Sequence, residues 1–311
     1  MLVCRDKRPR WIAGGGGSSI EWAKPHTTEP MPTAEEVVET NIDLVTLPAV
    51  YARVKAVIDD PRTGAMDLAN VLAADPAMTA RVLRLVNSAF WGISRQVDSL
   101  SRAVSLIGML QIHDLVLASS VVEAFARMQS TSMDVQKFWR TSVMRGLSAS
   151  ALARECALVD LGRVFTEGML SDLGHMVLYF KYPELATKAL QRSREAPWQL
   201  AQIETELIGC NFAQVGAALT DAWKLPPCFG ESIRHQLAPE NAGAHTLEAS
   251  LLHIAGVLAH PDMSGDRSDI LLAHVDARVW RTIGLDPQCL HTLLPEVKTN
   301  LSATTQLFGV A

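Results

Sequence analysis

The sequence predicts an all-α fold, and three observations carry the prediction. Helix-start signals recur along the chain, apolar residues repeat at spacings of three and four, and no segment sustains the two-residue alternation of a half-buried strand. With 311 residues, 48% of them hydrophobic, the chain can bury one large core or two smaller ones.

The elements follow in order. Residues 1–32 are rich in Gly, Pro and charge without a period, and are expected to form a disordered tail. Within it Arg5, Lys7, Arg8 and Arg10 offer the alternative of a basic tether for an anionic partner. Thr33 and Glu36 have the spacing of a capping box, in which each side chain bonds the other residue's backbone N–H. Asp75-Pro76 is a second helix start, with Asp as N-cap and Pro at the first helical position. Met78, Val82, Leu85, Val86 and Ala89 form a core-facing stripe on that helix, and Arg81 and Arg84 fall on its other side. Gly64, Gly92 and Gly108 punctuate the surrounding segments. Residues 112–125 are apolar nearly all round, interrupted by Ser119 and Ser120, which predicts a central helix. A second helical region starts near Asp134, with helices expected over 138–156, 161–180, 183–193, 197–208, 212–223, 226–236, 247–260, 275–283 and 287–300. Residues 128–133 are the expected junction, dividing the helices into subdomains at 33–133 and 134–311.

Charge and cysteine usage narrow the function classes. A formal net charge of -5 lacks the broad basic field of a general nucleic-acid-coating protein. Five scattered cysteines without a Cys-x-x-Cys pair read as reduced thiols, not as a disulfide framework or zinc ribbon. No uncharged apolar run approaches the roughly 18 residues of a membrane span. The N-terminus lacks the long apolar stretch of a secretory signal. A cytoplasmic protein without membrane association is expected.

The stretch Gly168-Met-Leu-Ser-Asp-Leu-Gly174 carries the most information. It accompanies other blocks: Leu47-Pro-Ala-Val-Tyr51, the run from Asp75-Pro76 through Asn87-Ser88-Ala89 to Gly92, residues 99–108, Phe138-Trp-Arg-Thr-Ser142, and residues 215–226 followed by Ile233-Arg-His235. In this order, over about residues 44–260, the blocks resemble the HDOD family, non-catalytic relatives of HD-domain phosphohydrolases found in bacterial signalling. The resemblance implies a small N-terminal helical bundle packed on a C-terminal HD-like bundle.

It also implies which residues to audit. In the HD hydrolases the matching segment reads Gly-Leu-Leu-His-Asp-Ile-Gly, and histidines and aspartates from separate helices bind one or more metals. The ion lowers the pKa of bound water and neutralises a phosphate. Here the first expected His aligns with Thr141, and the His-Asp pair has become Ser171-Asp172. The next His aligns with Phe212, and the final Asp with Gly256. His235 matches the first member of a His-His pair whose second member is Gln236, and His175 stands where many catalytic relatives have a lysine. Only Asp172 and His235 survive from the set, and a hydroxyl is a poor replacement for imidazole as a transition-metal ligand. His253 and His260 do not rebuild a site, because seven residues on one helix separate them by roughly 10 Å. No metal, cofactor or catalytic residue is therefore expected.

The other features each carry two readings. Asn87, Ser88 and Gly92 cap a helix and turn the chain, or they frame a recognition surface with Trp91 as aromatic anchor. Arg81, Arg84, Arg95 and Arg102 form a solvated face or an anion site. The candidate interaction surface is Arg81, Arg84, Asn87, Ser88, Trp91 and His175. The expected role is a non-enzymatic signal-transduction module that acts through protein partners, in pathways such as cyclic di-GMP, motility or gene expression. Two alternatives stand beside it. One is a residual metal-dependent phosphohydrolase in which Asp172, His235, His175 and Glu204 converge. The other is a sensor that holds a nucleotide in the former cleft without cutting it.

Overall fold

Side-chain caps set the starts of several helices. In the computed structural model, which describes residues 31–40, 46–88, 91–93, 95–125, 133–158, 160–260 and 272–310, every regular element among the described residues is helical. The expected tail, apart from its last two residues, and residues 128–132 of the expected junction lie outside the described residues, as do Cys4 and Ala89. Thr33 and Glu36 close the capping box of α1 (Ala34–Glu39). Asp75 accepts from the Met78 N–H at the start of α4 (Pro76–Val86), with Pro76 in its first turn. Met78, Val82, Leu85 and Val86 are buried along α4, each contributing roughly 1.5–3 kcal/mol of apolar transfer.

Between them lie α2 (Ala49–Asp59) and α3 (Ala65–Ala73), and after α4 come α5 (Leu100–Ile107) and α6 (Met109–Phe125). Gly108, at φ 94°, makes the sharp bend between α5 and α6 that only a residue without Cβ adopts easily. The helix expected from 112 starts at Met109, and it is buried nearly all round, Ser119 and Ser120 included. It packs against α2, α4, α5 and α8, which makes it the axis of the first half.

The second half is built around α7 (Val135–Glu155), which packs against α8 (Leu161–Leu170), α14 (Thr246–Leu258) and the last helix, α16 (Leu290–Phe308). Around these lie α9 (Leu173–Lys181), α10 (Pro183–Arg192), α11 (Leu200–Ile208), α12 (Phe212–Ala222), α13 (Pro227–Arg234) and α15 (Ala277–Ile283). The single helix expected over 161–180 is two helices, broken at Ser171-Asp172. The Ser171 hydroxyl turns back onto the Gly168 carbonyl at 2.7 Å, which takes up an acceptor freed at the end of α8. The starts expected at 197 and 287 are short 3₁₀ turns that lead into α11 and α16.

One contiguous buried cluster runs from Ala34 to Val310. α1 packs on α12, so the first helix is held by the second half of the chain. Among the described residues no single helix is long and apolar enough to cross a membrane.

Candidate functional site

Two close helix crossings position the site. A Cβ on Gly168 would lie 2.9 Å from the Gly146 Cα and 3.0 Å from the Arg145 carbonyl oxygen, so α7 and α8 touch backbone to backbone beside Arg145. A Cβ on Gly174 would lie 2.8 Å from the Gly216 nitrogen, which draws α9 onto α12 in the same way. The break between α8 and α9 falls between these crossings. It aims Ser171, Asp172 and His175 into the space bounded by α7, α11, α12, α13 and α14.

A single arginine fills that space. Arg145 Nη1 donates to Ser171 Oγ at 3.0 Å and to Gln236 Oε1 at 3.1 Å. Its Nη2 pairs with Asp172 Oδ1 at 3.1 Å, and the guanidinium carbon lies 5.8 Å from the centre of the Phe212 ring. Arg145 Nε has no hydrogen-bond partner. Gly256 on α14 backs the group: a Cβ there would sit 3.4–3.5 Å from the guanidinium atoms. Asp172 Oδ1 also accepts from His175 Nδ1 at 2.8 Å. His175 Nε2 lies 3.0 Å from Glu204 Oε1, an ion-pair contact without the alignment of a hydrogen bond. Glu204 Oε2 accepts the Phe212 N–H at 3.0 Å at the start of α12. The Phe212 ring stacks on the His175 imidazole with centroids 4.0 Å apart.

The cluster is closed and charge-balanced, with two cationic and two acidic side chains. Burial pushes the Asp172 carboxyl upward, but the charges of Arg145 and His175 overcome it and hold the group well below the usual carboxylate range. Burial likewise disfavours charge on His175, yet Glu204 and Asp172 outweigh it and raise the imidazole to about 10. Removing ions from water is costly, and close mutual pairing offsets that cost here. His253 is the contrasting case. Burial holds it below its ordinary value, and as a neutral ring it donates Nδ1–H to the Gln236 carbonyl at 2.8 Å.

These residues do not fit a divalent metal. Both nitrogens of His175 face carboxylates, and Asp172 Oδ1 already takes a guanidinium and an imidazolium. Ser171 Oγ and Gln236 Oε1 accept from Arg145, while Phe212 and Gly256 supply no donor atom. Among the described residues no group of three or more His, Cys, Asp or Glu side chains is arranged to hold a metal ion.

The sequence-aligned positions fall into two groups. Ser171, Asp172, Phe212 and Gly256 all border Arg145. Thr141 does not reach it: its hydroxyl bonds the Lys137 carbonyl of its own helix at 3.0 Å, and the arginine one turn later enters the site. His235 also points away, lying 3.5 Å from Glu231, and the buried Gln236 takes the inward position. Of the convergence imagined for a residual hydrolase, Asp172, His175 and Glu204 meet and His235 does not.

The candidate interaction surface divides similarly. His175 is turned inward, its side chain 12% exposed, because two carboxylates hold it. Arg84 is exposed, whereas Arg81 bonds the Ser119 carbonyl at 3.3 Å and lies 3.7 Å from Glu123. The Asn87 amide exchanges two bonds with the Val97 backbone, at 2.7 and 2.8 Å. Gly92 follows in the left-handed region at φ 59°. Trp91 is half-buried, and a Cβ on Gly162 would come within 2.9 Å of its ring. Sequence reasoning missed Arg145. The available signal was one charge in residues 142–153, a segment otherwise made of small, hydroxyl and apolar residues.

A second buried polar cluster lies outside this site. Tyr51 Oη contacts His113 Nε2 at 3.2 Å, and His113 Nδ1 contacts Asp114 Oδ1 at 2.9 Å. Arg163 bonds Glu167 at 3.0 Å and Glu248 at 3.2 Å, and pairs with Asp160. Glu167 is fully buried with Oε2 unpartnered. Burial raises it to about 8, with Glu248 and Asp114 adding to the rise and Arg163 opposing it; Cys228 also faces this group. A carboxyl with a raised folded value keeps a proton that the unfolded chain loses, so stability falls as pH climbs from 4.5 through about 8. Glu167→Gln mimics the protonated form. It is expected to flatten the decline between pH 4.5 and 8 in urea-melt free energies, and an unchanged slope would refute the assignment.

Comparisons with known proteins place the fold and the family. The chain is 28% identical over 222 residues to an uncharacterised protein of Treponema pallidum (strain Nichols), covering 68% of this chain and 42% of that relative's length. It is similar to the crystal structure of a protein from Shewanella amazonensis SB2B named as a candidate phosphohydrolase, with TM-score 0.67, 25% identity, and 90% and 99% of the two chains covered. It also matches an HDOD domain protein of unknown function from Geobacter sulfurreducens, with TM-score 0.68, 21% identity, and 87% and 99% covered. The HDOD domain family model matches residues 44–239, more than half of the sequence, and with the helical architecture above this chain belongs to the HDOD family.

Proposed function

We propose that this HDOD chain is a non-enzymatic signalling module that acts through protein contacts in the bacterial cytoplasm. The observation that carries the reading is the Arg145 guanidinium seated among Ser171, Asp172 and Gln236. A hydrolase of this superfamily generates its nucleophile from metal-bound water, whereas here Ser171, Asp172 and Gln236 direct their oxygens to a guanidinium. The end of α4 supplies a contact face, with Arg84 exposed, Asn87 holding the chain at Val97, Arg81 bonded to Ser119, and Ser88 and Trp91 beside them. Cyclic di-GMP, motility and gene-expression circuits are the settings in which such a module would work.

Hydrolysis, the activity in the Shewanella relative's name, is the competing reading, and a nucleotide held in the former cleft is another. Purified protein incubated with Mn²⁺ or Mg²⁺ is expected to leave bis-p-nitrophenyl phosphate and cyclic dinucleotides intact. Calorimetric titration with cyclic dinucleotides is expected to show no heat of binding. Turnover that disappears in Asp172→Asn would overturn the proposal, and saturable heat would move it to the sensor reading.

A further inference from the structure

We infer that Arg145 serves as a permanent internal cation, performing for this fold the helix-bridging task that metal performs in the hydrolases it resembles. The inference rests on the non-catalytic reading of the same cluster and goes beyond it, because it gives the altered residues a joint purpose.

The geometry of one side chain carries it. From α7 the guanidinium reaches Ser171 at the end of α8, Asp172 at the start of α9 and Gln236 just beyond α13. It faces the Phe212 ring on α12 and lies against Gly256 on α14. One group therefore contacts five other helix regions, as a multidentate ion would. Four of the altered positions suit a flat organic cation. Ser171 and Gln236 offer neutral oxygens that accept its N–H groups. Phe212 offers a ring, to which a guanidinium is attracted more than a hydrated ammonium is. Gly256 leaves open space beside the cation, since even a Cβ there would lie 3.4–3.5 Å from the guanidinium atoms. Asp172 supplies the counter-charge. The alternative explanation, an incidental buried ion pair, needs only Asp172 and leaves the other four contacts unexplained. A covalently attached cation also cannot dissociate, and guanidinium keeps its charge across the biological pH range.

Thermal unfolding tests the inference. Wild-type midpoints are expected to be indifferent to EDTA and to added Mn²⁺ or Zn²⁺. Arg145→Ala, which strips a buried cluster of one partner, is expected to lower the midpoint by roughly 10 °C. Millimolar ethylguanidinium should recover part of that loss saturably, whereas ethylammonium should not. Arg145→Met fills the volume without charge and should not restore stability. If Arg145→Ala fails to fold, a folded Arg145→Lys with a reduced midpoint supports the inference, because the charge is kept and the fork is lost. A stable Arg145→Met would overturn it, as would stoichiometric metal uptake by the wild type with a rise in midpoint. Phosphoester turnover would sink the non-catalytic reading and leave these stability results standing, so the two failures are distinguishable.

Discussion

Replacing Gly174 by alanine is expected to destabilise the protein by at least about 3 kcal/mol, the upper end of what overpacking a core costs. The added Cβ would lie 2.7 Å from the Phe212 carbonyl carbon and 2.8 Å from the Gly216 nitrogen, with the Phe212 oxygen closer still. These obstacles are backbone atoms, so no rotamer change relieves them. α9 and α12 must separate, and the stacking of His175 on Phe212 opens with them. Urea denaturation should show a lowered midpoint with an unchanged slope. Gly64→Ser is the control: a Cβ at Gly64 meets nothing within 4 Å, and serine is a good N-cap for α3. A Gly174→Ala protein as stable as Gly64→Ser would show that the crossing is looser than described.

Asp172→Asn is expected to cost about 3–5 kcal/mol, the usual loss when one partner of a buried ion pair is removed. Arg145 and His175 would then share a single acidic neighbour, Glu204, which contacts the imidazole and not the guanidinium. The effect also has a pH signature. The carboxyl's folded value lies below its ordinary 3.8, so its contribution is present above that value and is lost on acidification. The imidazole's folded value lies above its ordinary 6.5, so its contribution is complete below 6.5 and is lost as pH rises through about 10. The penalty of Asp172→Asn should therefore be greatest between about pH 4 and 6.5 and shrink toward pH 10. A penalty independent of pH would show that asparagine disturbs packing and not charge.

What the sequence disclosed depended on the range of the interactions involved. The caps at Thr33 and Asp75 were legible because donor and acceptor lie three residues apart. The stripe on α4 was legible for the same reason, since its period is local. The break between α8 and α9 was not. Residues 161–180 read as one apolar helix, and part of what holds them bent is the Gln236 amide on the Ser171 carbonyl, 65 positions away. The loss of metal ligands was readable by alignment, but what replaced them was not. Arg145 meets partners 26 and 91 residues distant, and no periodicity links such positions. His235 and Gln236 show the limit at single-residue scale. Adjacent residues at a helix end face opposite ways, and only the fold decides which one is inside.

The contact of Trp91 with Gly162 ties the end of α4 to α8. Gly162 opens α8, and Ser171 lies just past its last turn, roughly 14 Å away at 1.5 Å per residue. The indole of Trp91 therefore packs against the opening of the same helix whose far end meets the guanidinium, so one short rod spans from the half-buried rim of the fold to its charged centre.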